Sequence, residues 1–398
     1  MVPLEEVEDI GPKILGLLRD VEELELEDVE IKLGDLEFLL QPPTLATTPL
    51  PAKPEAKPKP EKIIEEKFTP PKMEYPGRIV EVRIGATKSE GGTRSRSIVI
   101  GGEKNPPFYM FEAPPPNLPA ISIDVFDMKI PLAKPVKEHV GDVLEDPAAW
   151  AKRAVDKWGA DMINLHLVSV DPLLKDTPPR EAAKTVEEVL QAVDVPIAVG
   201  GCGDPEKDLK VFEKVAEASQ GERILINSVT LDMDVEKMAD IVNKNGHTVI
   251  AFTPMDMDKA RELNRKLYGY LPKDVIVIDT TTAALGYGLE YAFTIMERVR
   301  LAALMGDEEL QHPISSGTTN AWAAREAWMK MDPKWGAREL RGPIWETITA
   351  LTLLLAGVDY FMMMHPAAVK TVKMVIRDLT SERREVGAPI LRWVSTRF

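Results

Sequence analysis

The residues best placed to do chemistry in this chain carry no charge. Thr280, Thr281, Thr282, Leu285, Gly286 and Tyr287 form one run; Ser315, Ser316, Gly317, Thr318, Thr319 and Asn320 form another. Each follows a short β-rich stretch and leads into a helical pattern. Small neutral hydrogen-bonding groups interleaved with glycine suit a surface laid against a large, neutral, amide-fringed ligand. An active site of acids, bases or nucleophiles would instead place titratable groups with perturbed pKa values at such positions. Three consecutive threonines also exceed what helix capping requires.

The conventional catalytic residue types are sparse or scattered. Cys202 is the single cysteine, so the chain forms no internal disulfide and cannot hold an iron–sulfur cluster by itself, which takes about four thiolates. With no evident His/Asp pairing, Cys202 reads as a buried inert thiol. His166, His312 and His365 are too dispersed for a ligand spacing and read as barrel-end histidines. Gly200-Gly201-Cys202-Gly203 is open to two readings, a backbone cradle for phosphate or a plain turn out of a strand. Met362-Met363-Met364 reads as strand core.

Positioning the two neutral runs requires a regular scaffold, and the pattern supplies one. Strand-like runs fall at 121–126, 162–167, 196–199, 223–228, 248–252, 275–279, 313–316 and 360–364. Amphipathic helical patterns lie between them near 147–158, 180–193, 206–219, 234–245, 256–269, 287–304, 320–330 with 343–356, and 366–379. Proline at 147, 205 and 366 suits first helical turns. Eight alternations predict an α/β fold, a (β/α)8 TIM barrel over 77–398. A doubly wound open sheet is the runner-up, but Asp127-Met128-Lys129 makes no glycine-rich phosphate loop after the first strand. In a barrel the two neutral runs fall at the C-terminal strand ends, where ligands bind.

An N-terminal β-hairpin precedes the barrel, with strands at 79–84 and 97–100. Its tip carries Lys88, Arg94 and Arg96 and reads as exposed. Residues 1–40 hold thirteen acids and three bases, with a helical pattern followed by a small hairpin. They read as an acidic docking module whose apolar face a partner completes, or as a partly disordered tail. Residues 41–76 contain ten prolines among alternating Lys and Glu, a semi-rigid tether with a reach on the order of 100 Å. The net charge is −15, with no basic stripe to bind nucleic acid. No apolar run reaches membrane-spanning length and no signal peptide is evident, so a soluble, cytoplasmic protein is expected.

Longer stretches carry a specific likeness. KDTP at 175–178, EAAKTVEEVLQAVDVPI at 181–197, ELNRKL at 262–267, TTAALGYGL at 281–289, RLAALMGD at 300–307, SSGTTNAW at 315–322, RGPIWE at 341–346 and MMMHP at 362–366 resemble the delta subunit family of the archaeal acetyl-CoA decarbonylase/synthase complex. That family is similar to the small subunit of the bacterial corrinoid/iron–sulfur protein, and the likeness spans essentially all of 77–398. It implies pairing with a larger gamma subunit that brings the iron–sulfur cluster and the corrinoid. It also implies methyl transfer between a tetrahydropterin carrier and the acetyl-CoA synthase nickel site, in an assembly that includes acetyl-CoA synthase (beta) and CO dehydrogenase subunits. The two neutral runs would then cap the corrinoid, with no acid near cobalt, and residues 1–40 would dock to another subunit. A rival expectation is that the barrel binds methyltetrahydropterin and transfers methyl itself, using Asp124, Asn164, Asn227 and Asp279. A third is a purely architectural subunit.

Overall fold

The computed structural model describes residues 73–107 and 115–380. The expected module at 1–40 and nearly all of the tether lie outside the described residues. Eight parallel strands close into a barrel: β3 Ala120–Phe126, β4 Met162–His166, β5 Ile197–Gly200, β6 Leu225–Val229, β7 Thr248–Phe252, β8 Ile276–Asp279, β9 Ile314–Gly317 and β10 Val358–Met363. The ring closes where β10 pairs with β3 (Phe361 beside Ile121). The strands are apolar on both faces because one face packs into the barrel and the other against the helices. Ile163, Val199, Ile226, Val249 and Ile278 belong to the resulting core.

Helix boundaries follow local chemistry. The carboxylates of Asp146, Asp204, Asp234 and Asp256 accept backbone N–H bonds in the first turns of helices Pro147–Trp158, Pro205–Ala218, Val235–Asn245 and Met257–Leu267. Each satisfies a donor that the helix itself cannot. Helices Pro179–Ala192, Leu289–Leu304, Arg338–Ala356 and Pro366–Thr380 complete the ring.

Two expectations about helices need correction. Residues 320–330 form no α-helix; the chain makes 3-10 turns at Thr318–Ala323, Arg325–Ala327 and Pro333–Trp335. Tertiary bonds override the helical composition there: Asn320 Nδ2 donates to Thr282 O (3.0 Å) and Trp322 Nε1 donates to Glu346 (3.1 Å). The next helix starts at Arg338, before Pro343 rather than at it. A short helix at Lys134–Val140 escaped the pattern because seven residues show little periodicity.

The hairpin of β1 (Val82–Ile84) and β2 (Ile98–Ile100) is antiparallel and closes the N-terminal end of the barrel. Val82, Ile84 and Ile100 join a second core with Ala120, Met162, Ala198, Leu225, Ile250, Val277 and Tyr360. The sequence had suggested an exposed tip, and the structure corrects this. Arg94 is buried, its Nε donates to Glu222 (2.8 Å), and its guanidinium also donates to Val193 O and Leu190 O (2.9 Å for the latter) at the end of helix Pro179–Ala192. Those carbonyls lack partners within the helix, and a buried arginine fork satisfies them.

Candidate functional site

Both neutral runs lie at the C-terminal end of the barrel, the first after β8 and the second across the end of β9 and the turn that follows, and hydrogen bonds join them there. Thr282 and Ser316 share a hydroxyl–hydroxyl bond of 2.8 Å. Asn320 reaches back to Thr282 O, and Tyr287 OH donates to Asn320 O. Ser315 Oγ donates to Asp279 (3.1 Å), whose other oxygen accepts from Thr281 N (2.8 Å). Thr281 holds φ 72°, a left-handed conformation rare outside glycine, and Thr281 Oγ1 donates to Thr253 O (3.1 Å).

The expected site residues divide into two layers. Thr281, Thr282, Gly317, Thr319 and Asn320 line a cleft of about 570 Å³ over the barrel mouth. Thr280, Ser315, Ser316 and Thr318 are buried behind it; Thr318, for one, donates to Met362 O (3.3 Å). Leu285 packs against the core, while Gly286 and Tyr287 sit exposed on the outer rim.

The expectation of a mouth without acids is corrected. Asp124, Asp208, Asp232 and Asp279 line the same cleft with His166 and Asn227, and its lining includes no lysine or arginine. Strand pairing brings these groups together from separate sequence positions: Asp124 lies beside Asn164 across β3–β4, and Phe252 beside Asp279 across β7–β8. Most of the acids are recessed. Asp124 is fully buried, accepting from Asn164 Nδ2 at 2.8 Å and lying 3.2 Å from His166 Nε2. Burial pushes the Asp279 carboxyl up to about 6, against the pull of the Thr281 and Ser315 donors. Asp124 Oδ2 and Asn164 Oδ1 are buried without a hydrogen-bond partner. Asp124 borders the polar cleft, with Asn164 buried beside it, and an unused acceptor there suits a ligand that donates N–H groups.

The phosphate reading of the glycine run does not hold, because the chain fills that cradle itself. Asp208 accepts from Cys202 N and Gly203 N, each at 2.8 Å. A side chain added at Gly201 would lie 2.2 Å from the Asp208 carboxylate. The Cys202 thiol bonds the same carboxylate at 3.3 Å, and burial pushes its pKa up to about 11, so it is a thiol rather than a nucleophilic thiolate.

The remaining histidines play structural parts. His312 bonds Ile276 O (3.2 Å) and Tyr268 OH (2.5 Å) ahead of β9, and burial lowers its pKa to about 4. His365 stacks on Trp322 and stands edge-on to His139; burial lowers it to about 4 as well. Sequence reasoning missed Glu346. From its helix it accepts from Trp322 Nε1 and His365 N (3.0 Å) and holds the turn after β10 against the turn after β9. Burial pushes this carboxyl up to about 8, opposed by its N–H donors. An acid at a buried position of an apolar helix, in RGPIWE, was the signal available.

Fold and cleft together define a (β/α)8 barrel with a polar cleft at the C-terminal ends of its strands. Residues 81–332 match the family described as CO dehydrogenase/acetyl-CoA synthase delta subunit. The chain is 57% identical to the acetyl-CoA decarbonylase/synthase complex subunit delta of Archaeoglobus fulgidus, over 80% of this chain and 72% of that one. It is 45% identical to the subunit delta of Methanocaldococcus jannaschii, over 96% and 95%. The chain belongs to this delta subunit family. Among solved structures, a dihydropteroate synthase of Xanthomonas albilineans is 16% identical with a TM-score of 0.45, over 67% of this chain and 94% of that one, a superposition too loose to bear on function. Among the described residues no helix is long and apolar enough to cross a membrane, and no group of three or more His, Cys, Asp or Glu is arranged to hold a metal ion.

Proposed function

We propose that the chain pairs with the large, corrinoid-carrying gamma subunit and caps its corrinoid, supporting methyl transfer between a tetrahydropterin carrier and the nickel site of acetyl-CoA synthase. The observation that carries this reading is the joined rim: two neutral loops, bonded to each other through Thr282, Ser316 and Asn320, stand over one cleft. The residues fit such a group. A side chain added at Gly317 would meet nothing nearer than Asn320 Nδ2 at 3.9 Å and Met362 Cε at 4.0 Å, so the backbone there is open to close approach. Thr319 and Asn320 offer a hydroxyl and an amide to peripheral amides. The acceptor-rich mouth without Lys or Arg receives N–H donors and disfavours anions. When bound to the partner, the corrinoid supplies a methyl group on cobalt; this chain's part is to bind its edge, exclude water and keep the recessed carboxylates hydrogen-bonded beneath the rim.

Co-expression with the large subunit tests the reading. A stable pair with a corrinoid spectrum is expected, and failure to isolate one would refute it. In the same reading residues 1–40, on their tether, hold the pair to the acetyl-CoA synthase (beta) subunit, in an assembly with the CO dehydrogenase subunits, by raising effective concentration.

A second reading, a pterin site in the barrel itself, is favoured by the unpartnered Oδ2 of the cleft-lining Asp124 and the unpartnered Oδ1 of its neighbour Asn164. The 2-amino lactam edge of a pterin offers the N–H donors these atoms lack. Titrating the purified chain with methylated pterin decides it. Saturable binding that Asp124→Asn abolishes supports the second reading, and no binding without the partner removes it.

A further inference from the structure

The helix Arg338–Ala356 is apolar on the side that faces away from the barrel. Leu340, Ile344, Ile348 and Leu355 are 59%, 46%, 40% and 54% exposed. Thr347, Leu351 and Thr352 fill the positions between them, half-buried. From Leu340 to Ala356 the only charged residues are Arg341 and Glu346, and both are buried on the inner side. A surface helix ordinarily turns its charged residues to solvent, and one that is apolar all round belongs inside a larger structure.

The face continues beyond the helix. Arg338 Nε donates to Trp328 O (2.6 Å) and Arg341 to Met329 O, holding the preceding turns against the first helical turn. Trp328 and Trp335 are themselves exposed, and Trp335 lies 6.2 Å from Trp345 of the helix. Six large side chains, each about half exposed at about 100 Å² apiece, present about 600 Å² of apolar surface. That is most of the ~800 Å² one partner gives to a standard interface, and at the upper end of what free monomers show.

We infer that this face is the seat of the large corrinoid-bearing subunit, through an uncharged helical surface of that partner. The inference rests on the pairing proposed above and adds where the pair is held. Its support is continuity with the rim. Leu285 N donates to Thr349 Oγ1 of this helix at 3.1 Å, and a side chain added at Gly286 would meet Trp345 Nε1 at 3.5 Å. Tyr287, one residue further, bonds the cleft-lining Asn320. A partner seated along the helix therefore lies against the loop whose exposed Gly286 and Tyr287 lead to the mouth. A second copy packed on the same face would bring its own mouth alongside and leave both uncovered.

The test uses the full chain and the full large subunit. Ile344→Glu and Ile348→Glu place charge on exposed positions that the barrel core does not use; Tyr270→Glu, exposed after helix Met257–Leu267, is the control. Affinity for the large subunit is measured by calorimetry, and the oligomeric state of the chain alone by light scattering, with unchanged melting temperatures confirming the fold. The expected result is a loss of tenfold or more for each face variant, none for the control, and a monomeric chain throughout. Two results overturn the assignment: wild-type affinity in the Ile344→Glu, Ile348→Glu double variant, or a homodimer of the chain alone that these substitutions dissociate. If the wild-type chain itself fails to bind the large subunit, the pairing and this inference both fall; if only the variants fail to differ, the pairing stands and the seat lies elsewhere.

Discussion

Replacing Gly317 by phenylalanine separates a cap from a bystander. Gly317 lies at the end of β9 with φ −83°, a backbone any residue adopts, and an added Cβ meets only ordinary contacts at 3.9 and 4.0 Å. Folding stability should therefore change by no more than about 0.5 kcal/mol, as at a surface site without special features. A phenyl ring, with about 150–250 Å² of surface, would extend into a mouth of about 570 Å³ and occupy the place where the partner's cofactor edge must lie. Losing a central, desolvated contact typically costs about 2–4 kcal/mol, so affinity for the methyl-loaded partner should fall by about 30- to 1,000-fold. Gly317→Ala should bind within about threefold of wild type. The assays are calorimetric affinity for the methylated large subunit and methyl-transfer rate followed by corrinoid absorbance. If Gly317→Phe binds and transfers as the wild type does, with melting temperature unchanged, the cap is refuted.

Three further outcomes are expected. Arg94→Ala strands Glu222 and the carbonyls of Leu190 and Val193; denaturant titration should register a loss of about 3–5 kcal/mol, and a loss below about 1 kcal/mol would mean water replaces the guanidinium freely. Burial raises the folded-state pKa of Asp279 from 3.8 to about 6, so between these values the folded chain holds a proton that the unfolded chain has released, and stability declines as pH rises through that window. Asp279→Asn should flatten that decline in melting curves taken from about pH 4 to about pH 7; an unaltered slope would show that Asp279 does not titrate there. Removing residues 1–76 should leave the pair with the large subunit intact but reduce its retention in the larger assembly, measured by co-purification with the acetyl-CoA synthase subunit; equal retention would refute docking by that segment.

The barrel was legible because its signals are local and repeated. Ile121–Phe126 and Thr248–Phe252 are short apolar runs, and Asp146-Pro147 and Asp204-Pro205 open helices with a cap and a fixed φ, so β3, β7 and two helices lie within a residue of their expected bounds. The two neutral loops were legible by composition, and barrel closure explains why they meet. Asp124 and Asp279, 155 positions apart in the chain, were legible together as strand-end residues once a barrel was expected. What composition could not reveal is that Asp208 and Asp232 share the cleft with them. The turns at 318–335 escaped for the opposite reason: their alanines and glutamate suggest a helix, while Trp322 and Asn320 are held by Glu346 and Thr282 from other elements. Asp208 was likewise invisible as the occupant of the glycine turn, since nothing in the spacing says a helix will turn its own carboxylate inward.

The hairpin packed beneath the strands has a consequence for traffic. With Val82, Ile84 and Ile100 packed against the side chains that fill its lower end, the ring is a shallow cup and not a pipe: whatever enters the cleft must leave by the same opening. On the proposed pairing, a companion resting on that opening would govern admission, and cargo would change hands only while it lifts or tilts away.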